Sequence, residues 1–109
     1  MNTKSKKRCE ANATIMKALS HPTRLFILEQ IVSQDRCVYE LAELVGHDIS
    51  TISKHLSILK NTGIVAGEKR GSQVFYALRI PCVLEFLACA EKVIQAHAHE
   101  LVSAFRPKG

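Results

Sequence analysis

Apolar residues recur at three- and four-residue steps between residues 48 and 63, the pattern of an amphipathic helix. The apolar stripe consists of Ile49, Ile52, Leu56 and Leu59. Asp48 or Ser50 can cap the start of this helix, and Gly63 suits the left-handed conformation that ends one. The opposite face carries Ser50, Thr51, Ser53, Lys54, His55 and Ser57. Such a polar face suits either a helix in the major groove of DNA or an ordinary surface helix.

Three shorter helical patterns precede this stretch. The first spans residues 10–19, and the second spans 22–33 with Pro22 at the first helical position, where its missing N–H costs nothing. The third covers Val38–Val45 and ends at Gly46. A short helix, a glycine-containing turn and a second helix with a polar outer face together indicate a helix-turn-helix. The second helix of this pair, residues 48–63, is called the recognition helix below.

The hydrophobic period changes to two after the recognition helix. Residues 64–69 and 73–79 are two strand-like runs, which predict a β-hairpin with Lys69 and Arg70 near its tip. A last helix is predicted over about 81–105. Its apolar band is too wide for one core contact, which indicates a homodimer interface. The band consists of Val83, Phe86, Leu87, Ala90, Val93, Ile94, His97, Leu101 and Val102.

Charge is distributed unevenly along the 109 residues, which carry a net charge of +5. Residues 1–9 are polar and basic, and we expect a flexible arm there. Residues 29–48 are mainly acidic, whereas 49–79 are mainly basic. The recognition helix therefore lies in a basic half, as a DNA-binding face should. We expect one domain over 10–105, a winged helix-turn-helix whose dimerisation helix begins at about residue 81.

Several function classes receive no support from the sequence. No apolar run is long enough for a membrane span, and no signal peptide is visible, so a cytoplasmic protein with no membrane partner is expected. Its four cysteines should stay reduced there, and they form no CxxC pair. No nucleophile–base pair, phosphate-binding glycine loop or carboxylate dyad is present, so an enzyme is not expected. No cofactor is expected to be required for folding.

Four segments, in this order, resemble the ArsR/SmtB (arsenical-resistance repressor) family of winged helix-turn-helix regulators from bacteria. They are Ser20-His21-Pro22-Thr23-Arg24, Ser53-Lys54-His55-Leu56 with Leu59, Gly63-Ile64-Val65, and Val74-Phe75-Tyr76-Ala77-Leu78. The resemblance covers about residues 11–102. It implies a mainly α fold with a β-hairpin wing. It also implies a homodimeric repressor that binds an inverted repeat and releases it when an inducer binds.

A symmetric dimer would place two recognition helices about one turn of DNA apart, so the expected partner is double-stranded DNA with an imperfect palindrome. The candidates for contacts to base edges are Ser50, Thr51, Ser53 and His55. The candidates for phosphate contacts are Lys54, Lys60, Lys69 and Arg70. Phosphate contacts set the position on the duplex and the salt dependence of binding.

The resemblance also implies a sensing site at the start of the helix before the recognition helix. The family motif there reads Glu-Leu-Cys-Val-Cys-Asp-Leu, and this chain has Asp35-Arg36-Cys37-Val38-Tyr39-Glu40-Leu41. Cys37 matches the first thiol, and Tyr39 replaces the second. The candidate inducers are As(III) and soft divalent ions such as Cd(II) or Pb(II), which prefer several thiolates, so Cys37 needs partners. Cys9 is one candidate, because some relatives draw cysteines from the N-terminal arm of the other subunit.

Cys82 and Cys89 lie on one face of the last helix, about 10 Å apart along its axis. They cannot bind one ion from the same helix, so a metal role requires the partner subunit, and packing is the alternative. The family's zinc site on this helix is lost, since Ile80 and Cys82 stand at its first two positions.

Two other mechanisms remain open within the same fold. One is a repressor that responds to thiol oxidation or reactive sulfur, although the relatives known for it place their cysteines at positions matching Glu29 and Gln95 here. The other is a constitutive dimeric repressor in which the cysteines have no sensing role.

Overall fold

The computed structural model describes residues 1–107, and their order of elements is that of a winged helix-turn-helix. The elements are α1 (Thr3–Leu19), α2 (Pro22–Ile31), β1 (Arg36–Cys37), α3 (Val38–Val45), α4 (Ile49–Asn61), β2 (Val65–Arg70), β3 (Gln73–Leu78) and α5 (Cys82–Ala104). The predicted fold class, mainly α with a β-hairpin wing, is confirmed.

The first helix begins earlier than the sequence pattern predicts. The side chain of Asn2 accepts a hydrogen bond from the N–H of Ser5 (2.8 Å), which caps α1 at Thr3. Residues 3–9 therefore form the first turns of α1 rather than the flexible basic arm expected over 1–9. The long straight side chains of this segment are good helix formers, although no apolar stripe marks them as a helix.

Two glycines end the helices of the helix-turn-helix. Gly46 follows α3 at φ 83° and Gly63 follows α4 at φ 82°, a region that side chains with a Cβ rarely adopt. Between the two helices, the Asp48 carboxylate accepts the N–H of Thr51 (3.2 Å) and caps α4. The predicted boundaries of α3 agree with the structure, and of the two predicted caps, Asp48 and Ser50, the structure has Asp48.

The core is formed where α2, α3 and α4 meet the end of α1 and the base of the wing. Its largest fully buried side chains are Ile27, Leu28, Leu41, Ile52, Leu56, Leu59 and Val65. The predicted apolar stripe of the recognition helix is thus buried, except for Ile49, which is 42% exposed at the start of α4. Burial of this stripe fixes which face of α4 points outward.

The wing belongs to a three-stranded antiparallel sheet with the order β1-β3-β2. The hairpin β2–β3 turns at Gly71-Ser72, where Arg70 pairs with Gln73. The short strand β1 was not predicted; it pairs Arg36 with Tyr76 and Cys37 with Phe75. The wing is therefore joined to the segment that immediately precedes α3.

No residue of the last helix, α5, is fully buried in the single chain. Several of its large apolar side chains are exposed, and Val93 (70%) and Ile94 (66%) are among the most exposed. The chain is elongated, with extents of 65 × 43 × 22 Å. Within residues 1–107, no helix is both long and apolar enough to cross a bilayer.

Candidate nucleic-acid interface

The outer face of α4 presents most of the side chains that the sequence predicts for DNA contact. Ser50, Ser53, Lys54 and Lys60 are exposed, and Thr51 is half-buried at the first turn. Their exposure follows from the burial of Ile52, Leu56 and Leu59 on the opposite side. This face offers hydroxyl groups and cations without a large apolar patch, which suits contact with base edges and phosphates.

His55, which the sequence predicts as a base-edge contact, makes contacts within the protein. Its ring is half-buried and packs against the ring of His21, with a distance of 4.5 Å between ring centroids. Nη1 of Arg24 lies 3.3 Å from Nδ1 of His55. Because a guanidinium group can only donate, Nδ1 of His55 accepts this bond. His55 therefore connects the recognition helix to the start of α2, and its predicted contact with a base edge stays a prediction.

The surroundings of His55 favour its neutral form. Burial lowers the pKa of His55 below its ordinary value, and the nearby His21, Arg24 and His47 lower it further. The neutral ring keeps Nδ1 available as the acceptor for Arg24. A proton on Nδ1 would remove that acceptor and place a positive charge beside the guanidinium group.

Arg24 also holds the end of α1. Its Nε donates to the carbonyl oxygen of Ala18 (2.6 Å), and its Nη2 donates to that of Lys17 (3.3 Å). Arg24 thus joins α1 and α4 from its own position on α2. Neither this role nor its contact with His55 was predicted. The segment Pro22-Thr23-Arg24 is part of the resemblance to the family, but it gives no indication that Arg24 contacts a residue 31 positions away.

The two cations predicted at the wing are in different situations. Lys69 is exposed and forms no ion pair with any residue in the described range 1–107. Arg70 is also exposed, but its Nη2 lies 2.5 Å from the Asp35 carboxylate and 3.0 Å from that of Glu68. Its guanidinium carbon lies 5.1 Å from the centre of the Phe75 ring. The hydrogen bonds that Arg70 donates to Asp35 and then to Glu68 raise the pKa of Arg70 above its ordinary value.

Cys37, the candidate sensor thiol, is buried, with only 3% of its surface exposed. It is the last residue of β1 and the N-cap residue of α3. The Glu40 carboxylate accepts the N–H of Cys37 (3.1 Å). This bond is the main reason that the pKa of Glu40 lies below its ordinary value, and the thiol of Cys37 and the charge of Arg36 lower it further. Cys37 is therefore built into the junction between the wing sheet and the helix-turn-helix.

The other three cysteines are exposed: Cys9 on α1, and Cys82 and Cys89 on α5. Across residues 1–107, no three His, Cys, Asp or Glu side chains of one chain come together in a group that could hold a metal ion. The residues of a single chain thus do not complete a thiolate site around Cys37.

Comparison with known proteins identifies relatives over most of the chain. The family model described as bacterial regulatory protein, arsR family, matches residues 21–66. The HTH-type transcriptional regulator Rv0081 of Mycobacterium tuberculosis is 40% identical over 83 residues, which are 75% of this chain and 73% of that protein. The HTH-type transcriptional repressor SmtB of the same species is 38% identical over 69 residues, 63% of this chain and 51% of that protein. The biofilm growth-associated repressor of Xylella fastidiosa is 36% identical over 72 residues, 66% of this chain and 63% of that protein.

Solved structures show the same relationship. The alignment with the crystal structure of Rv0081 from M. tuberculosis covers 94% of this chain and 99% of that chain, with 34% identity and a TM-score of 0.74. The alignment with a homodimeric winged helix-turn-helix DNA-binding domain from Mycobacterium bovis covers 89% of this chain and 90% of that chain, with 26% identity and a TM-score of 0.77. These relatives are regulators of transcription and not enzymes. The chain therefore belongs to the arsR family of bacterial regulatory proteins and is a winged helix-turn-helix transcriptional regulator.

Proposed function

We propose that this regulator is a homodimeric repressor that binds an inverted-repeat operator and releases it when a thiol-seeking inducer acts at Cys37. The observation that carries the DNA-binding part is the outward face of α4, where Ser50, Ser53, Lys54 and Lys60 are exposed opposite a buried apolar stripe. The names of two relatives, SmtB and the biofilm growth-associated protein, describe them as repressors, which supports repression rather than activation of transcription.

The dimeric state is supported by α5. Its apolar side chains Val93, Ile94, Leu101 and Val102 are at least half exposed in the single chain. A contiguous apolar surface of this kind indicates an interface, and two copies of one helix form a symmetric pair without another partner. The homodimeric relative from Mycobacterium bovis supports the same arrangement.

The division of DNA contacts follows from side-chain chemistry and exposure. Ser50, Thr51 and Ser53 lie at or near the N-terminal end of α4, which is the part of a recognition helix that contacts base edges. Lys54, Lys60 and Lys69 are exposed cations and suit phosphates. Two copies of α4 related by a two-fold axis would read an imperfect palindrome.

The proposed inducer is As(III) or a soft divalent ion, and the proposed target is Cys37. The position of Cys37 supports this choice, because it lies between the sheet of the wing and the first helix of the helix-turn-helix. An ion bound there would act on both DNA-reading elements. Its burial and the lack of companion ligands in the described part of one chain mean that β1 must open and a second subunit must contribute. Cys9 is the first candidate for that contribution, since it is exposed on α1; Cys82 and Cys89 are the others.

A constitutive repressor is the second candidate, and the burial of Cys37 favours it. A buried thiol with no companion ligand in its own chain can serve as a small core residue. A redox-responsive repressor has less support, since such sensors use accessible thiols placed beside a resolving cysteine.

The experiment that tests the proposal starts with selection of binding sites from a pool of random duplexes. The recovered operator is then used in mobility-shift assays with no addition, with As(III), Cd(II) or Zn(II), and with a disulfide-forming oxidant. Release by As(III) or Cd(II) is the expected result. Release by the oxidant alone would establish the redox mechanism instead, and binding that no addition changes would establish the constitutive one. Recovery of no preferred sequence would contradict DNA reading by α4.

A further inference from the structure

Arg70 is folded back over the wing sheet and bound by acidic side chains. Its side chain begins on β2, passes the ring of Phe75 on β3, and reaches the Asp35 carboxylate beside β1. Glu68, two residues earlier on β2, also binds the guanidinium group. Arg70, the last residue of this strand, therefore has two anionic partners within the protein.

These partners are equivalent in charge to the phosphates of DNA. A guanidinium group binds carboxylate and phosphate oxygens through the same donors, so one set of partners competes with the other. We propose that Asp35 and Glu68 compete with DNA phosphates for Arg70 and thereby weaken the contribution of the wing to DNA binding. This inference rests on the proposed DNA-binding function and adds an internal competitor to it.

The strength of the competition is limited by exposure. The side chains of Arg70 and Asp35 are 45% and 36% exposed, and that of Glu68 is 72% exposed. Exposed ion pairs of this kind are weak, so DNA can displace them, and their loss changes affinity by a small factor. Asp35 is the stronger competitor of the two because its contact is shorter and it is less exposed.

Asp35 lies next to the sheet of the wing, which distinguishes it from other surface carboxylates. It directly precedes β1, whose Cys37 pairs with Phe75, the residue under the guanidinium group. Arg36, between them, is held by the carbonyl oxygen of Gln30 (2.6 Å). The carboxylate is therefore presented by an ordered segment, and its position relative to the wing depends on β1 remaining paired with β3.

The test measures the affinity of the full chain for a short duplex of random sequence by fluorescence anisotropy, because phosphate contacts do not depend on sequence. The variants are Asp35→Asn, Glu68→Gln, Arg70→Gln and the double variant Asp35→Asn/Arg70→Gln. Glu43→Gln is the matched control, since Glu43 is an exposed carboxylate on α3 with no bond to Arg70. It corrects for the general effect of removing one negative charge.

We expect Asp35→Asn to bind about two- to fivefold more tightly than the wild type, the range set by an exposed ion pair. Glu43→Gln should change affinity less. In a protein that already carries Arg70→Gln, Asp35→Asn should increase the affinity for DNA no more than Glu43→Gln does in the wild type. The reason is that the guanidinium group for which Asp35 competes is no longer present. Glu68→Gln should act in the same direction as Asp35→Asn with a smaller factor, and it provides the same comparison if Asp35→Asn does not fold.

Equal effects of Asp35→Asn and Glu43→Gln would overturn the proposal while leaving DNA binding intact. The same conclusion holds if Arg70→Gln binds as tightly as the wild type, or if the effect of Asp35→Asn persists without Arg70. Failure of the wild type to bind either the random duplex or any selected operator would instead contradict the proposed function itself, and this inference with it.

Discussion

Arg24 and His55 are 31 residues apart in the chain, yet Nη1 of Arg24 lies 3.3 Å from Nδ1 of His55. The same guanidinium group binds the carbonyl oxygens of Lys17 and Ala18 at the end of α1. One side chain thus joins α4 to the end of α1.

Replacing Arg24 should therefore destabilise the fold. Arg24→Ala leaves the carbonyl oxygen of Ala18 and Nδ1 of His55 without this donor, at a cost of about 1–3 kcal/mol. The carbonyl oxygen of Lys17 keeps its bonds from the N–H and hydroxyl of Ser20. Arg24→Lys should recover only part of this loss, since one ammonium group cannot reproduce the planar arrangement of three donors. Urea unfolding followed by circular dichroism measures both. Wild-type stability in Arg24→Ala would show that the three contacts are dispensable.

The depressed pKa of His55 predicts a pH dependence of stability. The unfolded chain binds the proton near the ordinary value of 6.5, whereas the folded chain resists it because of burial and the charges of Arg24, His21 and His47. The unfolded state therefore holds more protons in the window below pH 6.5, so the free energy of unfolding should fall as the pH drops through that window.

The matched variant for this prediction is His55→Asn, whose amide oxygen can still accept the bond from Arg24 but does not titrate. We expect urea unfolding of His55→Asn to depend less on pH than that of the wild type in the same window. Identical pH profiles would exclude His55 as the source of the dependence.

The exposed apolar surface of α5 predicts a homodimer. A single charged side chain introduced into that surface should disrupt it. Val93→Glu would place two like charges against each other in a symmetric interface, at a cost of several kcal/mol. The variant should elute as a monomer in size-exclusion chromatography with light scattering, and its melting temperature should lose its dependence on concentration. Gln95→Glu adds the same charge elsewhere on the helix and should remain dimeric. A dimeric Val93→Glu protein would place the interface elsewhere.

Ser53 and Lys60 should separate base reading from phosphate binding. Ser53→Ala should weaken binding to the selected operator by about 0.5–1.5 kcal/mol, the contribution of one hydrogen bond, and leave binding to a random duplex nearly unchanged. Lys60→Gln should weaken binding to both, and should reduce the slope of log affinity against log salt by about one per subunit. Titrations of both duplexes at several salt concentrations test this. An equal effect of Ser53→Ala on the two duplexes would exclude a sequence-reading role for this side chain.

Cys37→Ser should still bind the operator but should no longer be released by As(III). The serine preserves the size of the side chain but removes the thiolate that a soft ion prefers. Mobility shifts of the wild type and the variant with increasing As(III) measure the loss. Cys9→Ser, Cys82→Ser and Cys89→Ser, compared in the same assay, identify which other thiol completes the site. Unchanged release from Cys37→Ser would contradict a sensing role for this residue.

Local sequence signals predicted much of the fold. The Val38–Val45 helix, the cap at Asp48 and the glycines at 46 and 63 agree with the structure, because periodicity, capping and left-handed turns are encoded within a few neighbouring residues. The hairpin was predicted for the same reason. Residues 3–9 form helical turns that are polar on all sides, so hydrophobic periodicity gives no helix signal there and predicts an arm instead.

The features that the sequence did not reveal depend on contacts between distant residues. The strand β1 is only two residues long and exists because β3, far along the chain, pairs with it. The bond between Arg70 and Asp35 joins residues 35 positions apart, and neither residue alone differs from an ordinary surface charge. The helical pattern places His55 on the polar face, but it gives no indication of the contacts of His55 with His21 and Arg24, which lie far away in the chain.

The burial of Cys37 has a consequence for the timing of any reaction at its sulfur. With 3% exposure, a place in β1 and the first position before α3, the thiol becomes accessible only when the junction opens. A thiol-directed reagent added at increasing concentration should therefore react with Cys37 at a rate that levels off, because opening becomes the slow step. The exposed Cys9 should show no such plateau. The lifetime of the closed junction, rather than the amount of reagent, would then set the speed of the response.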